Sequence, residues 1–408
     1  MARVKLSSCK KVYCVDTHRT RSPEDTLEII SPLAKECGIT RITDITGLDR
    51  LGIPVFSCIR PGAEEGANSV YNGKGATETA AKVSAIMEGI ERYSAELNER
   101  ETVTERFSQL GESVALNPED LILPKGIHPD SPLPWCDAYD IANDEEKLLP
   151  AHSVYHPIPH GTVRFIRTST NGIASGNTIE EATFHALSEV IERDAWSLVE
   201  ACGDAGPVIE GIDSPVLTKM IAAFEDNGVD IILRDITSDI GIPTIAAVAD
   251  DVKLKDPSLL VTGMGTHVSP VIAAIRAITE VAQSRATQIH SSGEDATGAP
   301  FRMNIGYDRT KRFNKKWFAD GEKRDFSEIK GFVSDDFLKD IQFTTKLLEN
   351  SGLDRVFVSD LTMPDVKIPV VRVVVPGLET YVMDSERYGK RCDNARRNRV
   401  LRAKSVQR

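Results

Sequence analysis

The feature that most constrains this chain is a short acidic phrase that occurs three times, late in helices that the sequence predicts after glycine-rich turns. The copies are Glu88-x-x-Glu91-Arg92, Glu189-x-x-Glu192-Arg193 and the variant Glu280-x-x-Gln283, which Ser284 and Arg285 follow. In the first two copies the register extends outside the phrase, because Gly75 and Gly176 each lie thirteen residues before its first glutamate. The repeat predicts three related strand–helix units within one chain.

Glycine-rich turns precede these helices at residues 72–77, 172–177 and 263–266. A helix N-terminus offers backbone N–H groups to an anion, and nearby carboxylates can hold a divalent cation that bridges to phosphate. None of the turns carries the G-x-x-x-x-G-K-[ST] of a P-loop, and none carries G-x-G-x-x-G at a Rossmann strand–helix junction. The turns therefore predict a magnesium–nucleotide site that is neither P-loop nor Rossmann.

Each of the three helices carries a polar stripe on one face. The stripes consist of Ser84, Glu88 and Glu91 on the first helix, of Glu181, His185, Ser188 and Glu192 on the second, and of Arg276, Glu280 and Gln283 on the third. One such stripe is typical of a solvated helix face, but solvated faces need no shared register. If the stripes face one another, their carboxylates repel unless Mg²⁺ lies among them, and Arg193 and Arg276 can neutralise phosphate.

The composition of the chain argues against several classes of function. The formal net charge of −12 argues against general binding of nucleic acid and against docking on an anionic membrane. No apolar run reaches the roughly 18 residues of a spanning helix, and residues 1–16 contain no apolar signal-peptide core. The seven cysteines form no C-x-x-C, which predicts reduced thiols in a cytoplasmic protein, with Cys9 and Cys14 left open as ligands.

The apolar pattern predicts a mixed α/β protein. Helices are expected at residues 22–37, 77–100, 178–201, 215–227, 270–290 and 335–350. Strands are expected within runs 52–59, 241–248 and 367–375, each with a proline near its start, and at 163–169, 231–235 and 356–361. The proline-rich segment 117–159 is predicted to be a surface excursion outside the core.

These motifs resemble the YcaO proteins, which are ATP-dependent enzymes that activate backbone amides. The matching stretches are Ser84-x-x-x-Glu88-x-x-Glu91-Arg92, residues 171–194 and residues 276–285, within a similarity from about Arg19 to about Gly377. The resemblance implies a YcaO-type α/β fold in which three related strand–helix units converge on a Mg-ATP site. It also implies an N-terminal segment at 1–60, a catalytic domain at 61–380 and a basic C-terminal tail at 381–408.

The resemblance also implies a set of site residues. The magnesium ligands are Glu88, Glu91, Glu181 and Glu192, and the ATP contacts are Arg19, Thr26, Ser84, Asn177, Arg193, Arg276 and Glu280. Position 174 is often serine in the family and is Ala174 here, so one contact is expected to be missing. No side-chain nucleophile is required, and the histidines His18, His185 and His267 are candidates for either proton transfer or structural roles.

Within the family, members differ in the nucleophile that adds to the amide. Cyclodehydratases typically end in a P-x-P-x-P tail, whereas this chain ends in KSVQR. Short segments such as Thr17-His18-Arg19 and VYNGKG at 70–75 resemble those of the methanogen branch of the family. That resemblance implies thioamidation of a glycine in the α subunit of methyl-coenzyme M reductase, through a phosphorylated tetrahedral intermediate that gives ADP and phosphate.

The implied partners are that α subunit, sulfide or a sulfur-delivery protein, and a second copy of the chain in a homodimer. Two alternatives stay open at this point. One is a cyclodehydratase or amidine-forming enzyme that acts on a ribosomal peptide. The other is a non-catalytic scaffold that binds nucleotide, against which the crowded carboxylates argue. The basic tail is either a solvated end or a contact to an acidic partner.

Overall fold

The computed structural model describes residues 4–98, 100–158, 163, 165–291 and 304–406. The helices are α1 (Pro23–Leu33), α2 (Glu78–Ala95), α3 (Phe107–Leu110), α4 (Ile179–Cys202), α5 (Pro215–Glu225), α6 (Pro270–Ser291), α7 (Tyr307–Phe313), α8 (Lys315–Phe318), α9 (Phe337–Asn350) and α10 (Lys390–Val406). The strands are β1 (Tyr13–Cys14), β2 (His18–Arg19), β3 (Arg41–Asp44), β4 (Val55–Ile59), β5 (Val70–Lys74), β6 (Val103–Glu105), β7 (Leu133–Asp140), β8 (Glu145–Pro150), β9 (Ile173–Ser175), β10 (Val208–Glu210), β11 (Asp230–Asp235), β12 (Thr244–Asp250), β13 (Val261–Thr266), β14 (Lys323–Asp325), β15 (Phe357–Asp360) and β16 (Val370–Val374).

Three strand–helix units, β5–α2, β9–α4 and β13–α6, carry the repeated phrase. Their strands belong to three different sheets, with orders β3-β4-β5, β6-β7-β15-β16-β9 and β13-β12-β11-β10-β14. Each of the three strands lies at the edge of its own sheet. The predicted α/β architecture with three related units is confirmed, and the six predicted helices all form.

The helix of each unit packs against the edge strand of the next unit. Helix α2 contacts β9, α4 contacts β13, and α6 contacts β5, which closes a cycle that we call the three-unit ring. The phrase makes these contacts specific. Glu91 accepts a hydrogen bond from the Ser175 N–H at 2.9 Å, and Glu192 accepts one from the Thr266 N–H at 3.0 Å. In the third copy, the Gln283 side-chain amide donates to the Asn72 carbonyl oxygen.

Small residues let each strand lie directly on its own helix. The repeat register places six fully buried alanines on the strand-facing sides of the helices: Ala81 and Ala85, Ala182 and Ala186, and Ala273 and Ala277. A Cβ on Gly73 would lie 2.0 Å from Ala85 N, and a Cβ on Gly265 would lie 2.0 Å from Ala273 O. The glycines that the sequence pairs with phosphate binding are therefore also required for close packing.

Two predictions for the middle of the chain are wrong. Segment 117–159 is not a surface excursion, because its described part contains β7 and β8 and buries Leu133, Trp135 and Leu149 in a core cluster. Of the strand predicted at 163–169, residue 164 lies outside the described part and the others form no strand. Phe165 and Ile166 are buried in the same core cluster as Trp135, so the apolar character of this segment reflects core packing without strand pairing.

The two ends of the chain are attached to α4. Arg391 of α10 forms an ion pair with the buried Asp194 at 2.8 Å, so the beginning of the predicted basic tail is a docked helix. Residues 407–408 of that tail lie outside the described part. At the other end, β1 and β2 form a hairpin that reaches the first turn of α4. Within the described ranges, no helix combines the length and the apolar character needed to cross a membrane.

The close approach of β5 to α2 generates a stability prediction. Replacing Gly73→Ala forces a methyl group into helix backbone at 2.0 Å, and we expect a loss of about 1–3 kcal/mol in the free energy of unfolding. Urea denaturation followed by circular dichroism measures this loss. Gly62→Ala is the matched control, because Gly62 has open space around its Cβ position. Equal stability of the two variants would contradict the packing argument.

Candidate functional site

The three-unit ring encloses a cavity of about 410 Å³ that is lined by α2, α4, α6 and the N-terminal hairpin. Ten of the eleven residues that the sequence singled out line this cavity: Arg19, Thr26, Ser84, Glu88, Glu91, Asn177, Glu181, Arg193, Arg276 and Glu280. The eleventh, Glu192, is 2% exposed and lies behind the cavity wall. The structure therefore brings the polar stripes together, while the individual roles of these residues stay predictions.

Glu91 and Glu192 have the same position in the phrase and the same kind of environment. Glu91 uses one oxygen to accept from Ser175 and the other to pair with Arg92 at 2.9 Å. Burial raises the pKa of Glu91 to about 8, Arg92 opposes this rise, and Glu88 adds to it. The pKa of Glu192 is likewise raised by burial. Both carboxyl groups need more positive charge than the protein supplies if they are to be ionised at neutral pH.

The N-terminal hairpin completes the cavity at the start of α4. Glu181 accepts hydrogen bonds from the Thr20 N–H at 2.9 Å and from the Thr20 hydroxyl at 2.8 Å, and it lies 3.7 Å from Arg19 Nε. The Thr26 hydroxyl lies 3.1 Å from the Asn177 Oδ1. These long-range contacts explain why Arg19 and Thr26, which precede the repeated units in the chain, line the same cavity.

Lys74 and Glu189 are among the charged lining residues that the sequence analysis did not assign to the site. Lys74 follows the β5 glycine and donates to Glu280 at 2.9 Å. Burial opposes ionisation of Glu280, but Lys74 and Arg193 outweigh it and lower its pKa. Glu189 also lines the cavity and has the same phrase position as Glu88, so the repeat contained the signal for it. The sequence indicated a role for Lys74 only weakly, because it is the one charged residue within the three glycine-rich turns.

Two arginines of the cavity have Nε–H donors without a hydrogen-bond partner in the described part of the chain. Arg193 Nε and Arg276 Nε are buried and have no hydrogen-bond partner among the described residues. Arg193 is only weakly paired, at 3.9 Å from Glu189 and 3.7 Å from Glu192. Buried donors without partners are costly, and guanidinium groups bind phosphate oxygens well. Both side chains are therefore suited to a bound polyphosphate.

The carboxylates suit Mg²⁺ only together with a phosphate ligand. In the described part of the chain, no group of three or more His, Cys, Asp or Glu side chains could hold a metal ion by itself. Glu91, Glu181 and Glu192 already accept hydrogen bonds from backbone N–H groups of three different segments of the chain. Mg²⁺ is commonly held by one or two carboxylates and completed by substrate phosphates and water. The donor set fits that mode of binding.

The candidate proton carriers differ in position. His185 lines the cavity beside Arg19, and burial lowers its pKa well below the usual value, so the ring is neutral at physiological pH. His18 and His267 pack edge to face, with their ring centroids 4.9 Å apart, and they do not line the cavity. Of the cysteines left open as ligands, Cys9 lies 3.3 Å from Thr178 and has a pKa raised by burial, whereas Cys14 is exposed.

Comparison with known proteins agrees with the family resemblance of the sequence. The family model for the YcaO cyclodehydratases, described as ATP- and Mg²⁺-binding, matches residues 72–379. An uncharacterized protein of Methanothermobacter thermautotrophicus is 49% identical over 377 residues, which cover 90% of this chain and 97% of that protein. The family model thus matches well over half of the chain, including the helices and most of the strands of the three-unit ring, and this relative is similar over nearly all of the chain.

Two solved structures have the same fold. The YcaO protein from Methanopyrus kandleri, bound with AMPPCP and Mg²⁺, aligns with a TM-score of 0.78 and 28% identity over 94% of this chain and 98% of that one. A heterocyclase in complex with substrate and cofactor aligns with a TM-score of 0.79 and 24% identity over 93% of this chain and 55% of its own. The second likeness is evidence for the fold alone.

The paired environments of Glu91 and Glu192 generate a prediction about nucleotide turnover. Glu91→Gln and Glu192→Gln retain an oxygen that accepts the Ser175 or Thr266 N–H, but they remove the negative charge. We expect a loss of Mg-dependent ATP turnover of at least about 100-fold with an intact fold. Phosphate release and circular dichroism measure the two effects.

The control for this prediction is Glu78→Gln, since Glu78 is an exposed glutamate in the first turn of the same helix as Glu91. Its turnover should equal that of the unmodified protein. Retained turnover in both the Glu91 and the Glu192 variants would refute their assignment as magnesium ligands.

Proposed function

The chain belongs to the YcaO family, and on that premise we propose that it installs a thioamide on a glycine of the α subunit of methyl-coenzyme M reductase. ATP and Mg²⁺ are the cofactors of the family and are bound, as AMPPCP and Mg²⁺, in the Methanopyrus kandleri structure. The observation that carries the proposal is the cavity of the three-unit ring, which combines carboxylates, arginines with unpartnered Nε–H groups and no cysteine among its described lining residues.

We assign the four acidic residues Glu88, Glu91, Glu181 and Glu192 to Mg²⁺. The proposal is supported by burial that leaves Glu91 and Glu192 short of positive charge, and by the position of Glu88 and Glu181 on the cavity wall. The nucleotide contacts in this proposal are Arg19, Thr26, Ser84, Asn177, Arg193, Arg276 and Glu280. Lys74 and Glu189 join them because they face the same space.

An amide carbonyl is a poor electrophile, so its oxygen must be converted into a leaving group. In the proposed reaction sulfide adds to the glycine carbonyl carbon, the oxyanion accepts the terminal phosphoryl group of ATP, and phosphate leaves as the C=S bond forms. Bound Mg-ATP supplies the phosphoryl group and the charge that stabilises its transfer. Arg193 and Arg276 orient the phosphates, and Lys74 keeps Glu280 ionised beside them.

The proposed protein substrate is supported by the relative in Methanothermobacter thermautotrophicus and by the short N-terminal segments that resemble those of the methanogen branch. The proposal further includes a sulfide source or sulfur-delivery protein, a homodimer and a cytoplasmic location. It also retains the division into residues 1–60, 61–380 and 381–408. The second candidate is cyclodehydration or amidine formation on a ribosomal peptide, which the description of the matched family model favours.

Mass spectrometry of the reductase α-subunit peptide, after incubation with this protein, Mg-ATP and sulfide, tests the proposal. Exchange of oxygen for sulfur adds about 16 Da to the glycine, and the gain should require both ATP and sulfide. A loss of about 18 Da from a peptide containing cysteine or serine would instead support cyclodehydration.

The matched controls are Glu91→Gln, which should abolish the gain in mass, and Glu78→Gln, which should preserve it. Absence of any mass change with either peptide, while ATP still binds, would contradict the thioamidation proposal. In that case the non-catalytic scaffold becomes the better account of the carboxylate cavity.

A further inference from the structure

A second, smaller cavity lies around Arg372, a residue close enough to Arg92 and Glu189 of the main cavity for their charges to act on it. Its volume is about 50 Å³, and we call it the arginine pocket. It is lined by Arg372 of β16, by Arg387, and by polar residues that include His152, Asn171 and Thr380. A cavity needs at least about 10–15 Å³ to hold one water molecule, so the pocket has room for a small group of a few non-hydrogen atoms.

Arg372 is a buried cation without a carboxylate partner. Its side chain is 7% exposed, Nη1 donates to the Ser169 carbonyl oxygen at 2.7 Å, and Nε has no hydrogen-bond partner among the described residues. Burial lowers the pKa of Arg372 to about 9, and Arg387 and Arg92 repel it, while Glu189 attracts it from the main cavity. A buried charge with so little compensation is costly.

Arg387 adds a second buried positive charge to the same pocket. It is 8% exposed, and it donates to the carbonyl oxygens of Leu121 and Ile122, which are neutral groups. Asp384 and Glu379 attract it at longer range, but burial still lowers its pKa to about 10. Glu379 accepts hydrogen bonds from the N–H group of Cys392 in α10 and from that of Gly389, just before α10.

The acid nearest to the pocket is already neutralised. Asp120 is the one acidic residue among the described lining residues, and it forms an ion pair with Arg355 at 2.9 Å. Neither Arg372 nor Arg387 has a carboxylate within ion-pair distance in the described part of the chain. The interior of the pocket therefore has a net positive charge.

Unpartnered polar atoms are concentrated around this small space. Arg372 Nε, His152 Nδ1, Asn171 Oδ1 and Thr380 Oγ1 are all buried, and none has a hydrogen-bond partner among the described residues. Native proteins satisfy the large majority of such groups, so four of them around one cavity indicate a missing ligand. The set requires an anion that mainly accepts hydrogen bonds and can also donate one, because Asn171 Oδ1 is an acceptor.

We propose that the arginine pocket binds one inorganic phosphate ion as monohydrogen phosphate. Its oxygens accept from Arg372 and Thr380, and its single hydroxyl donates to Asn171. Its size fits the room available, and its charge offsets the two buried guanidinium groups. The proposal does not depend on the thioamidation reaction, because it rests only on the residues of the pocket.

Equilibrium dialysis with labelled phosphate tests the proposal on the full chain. Saturating AMPPCP and Mg²⁺ occupy the main cavity, so that phosphate bound in addition to them reports on another site. We expect one phosphate per chain. Arg372→Met should weaken this binding at least about tenfold, because it removes a charge-assisted hydrogen bond, and Arg372→Lys should weaken it less.

The matched control is Arg397→Met, since Arg397 is an exposed arginine on α10 whose side chain is 71% accessible. It should bind phosphate as the unmodified chain does. Phosphate binding that is absent, or that Arg372→Met leaves unchanged, would overturn the proposal.

Should Arg372→Met fail to fold, crystals of the unmodified chain with AMPPCP, Mg²⁺ and tungstate provide a second test. An anomalous peak within hydrogen-bond distance of Arg372 would support the site. Peaks confined to other places, or no peak at all, would refute it. If instead AMPPCP itself does not bind, the proposed function fails while the dialysis comparison between Arg372→Met and Arg397→Met still decides the phosphate site.

Discussion

The hydrogen bonds from phrase side chains to the neighbouring edge strand hold the site together. Glu91 reaches β9, Glu192 reaches β13, and Gln283 reaches β5, so each helix is fixed to the unit that follows it in the ring. Only this cyclic arrangement turns all three polar stripes toward one cavity. Glu91 and Glu192 are also the two carboxyl groups whose pKa burial raises, so the contacts that hold the ring together are coupled to the electrostatics of the site.

The cavity contains charges that the protein alone does not balance. Burial raises the pKa of Glu91, whereas Arg193 and Arg276 retain unpartnered donors nearby. A cation and a polyphosphate satisfy both deficits at once, because the cation joins carboxylates to phosphate and the phosphate accepts from guanidinium groups. The proposed site thus accounts in physical terms for the joint use of ATP and Mg²⁺ by a family without a P-loop.

Sequence periodicity predicted what depends on local patterning. The helices that carry the phrase, and the glycines before them, follow from spacing alone. The strand predicted at 163–169 was wrong because Phe165 and Ile166 are apolar for packing in a core and not for strand pairing. The core position of Trp135 was missed because its segment is rich in proline. The sequence indicated Lys74 only weakly and Arg372 not at all, because their importance depends on partners that lie far away in the chain or that are missing.

The ring also dictates the order in which the chain can assemble. The contact between Glu91 and Ser175 spans 84 residues, whereas the contact between Lys74 and Glu280 spans 206. The entropy cost of closing a loop grows with such separations, and α6 follows β5 in the chain. The edge of β5 is therefore covered only after α6 has formed. A nascent chain that has not yet produced α6 therefore presents an open strand edge, and strand edges are where chains pair wrongly with one another. Synthesis of α6 is the step that ends this exposure.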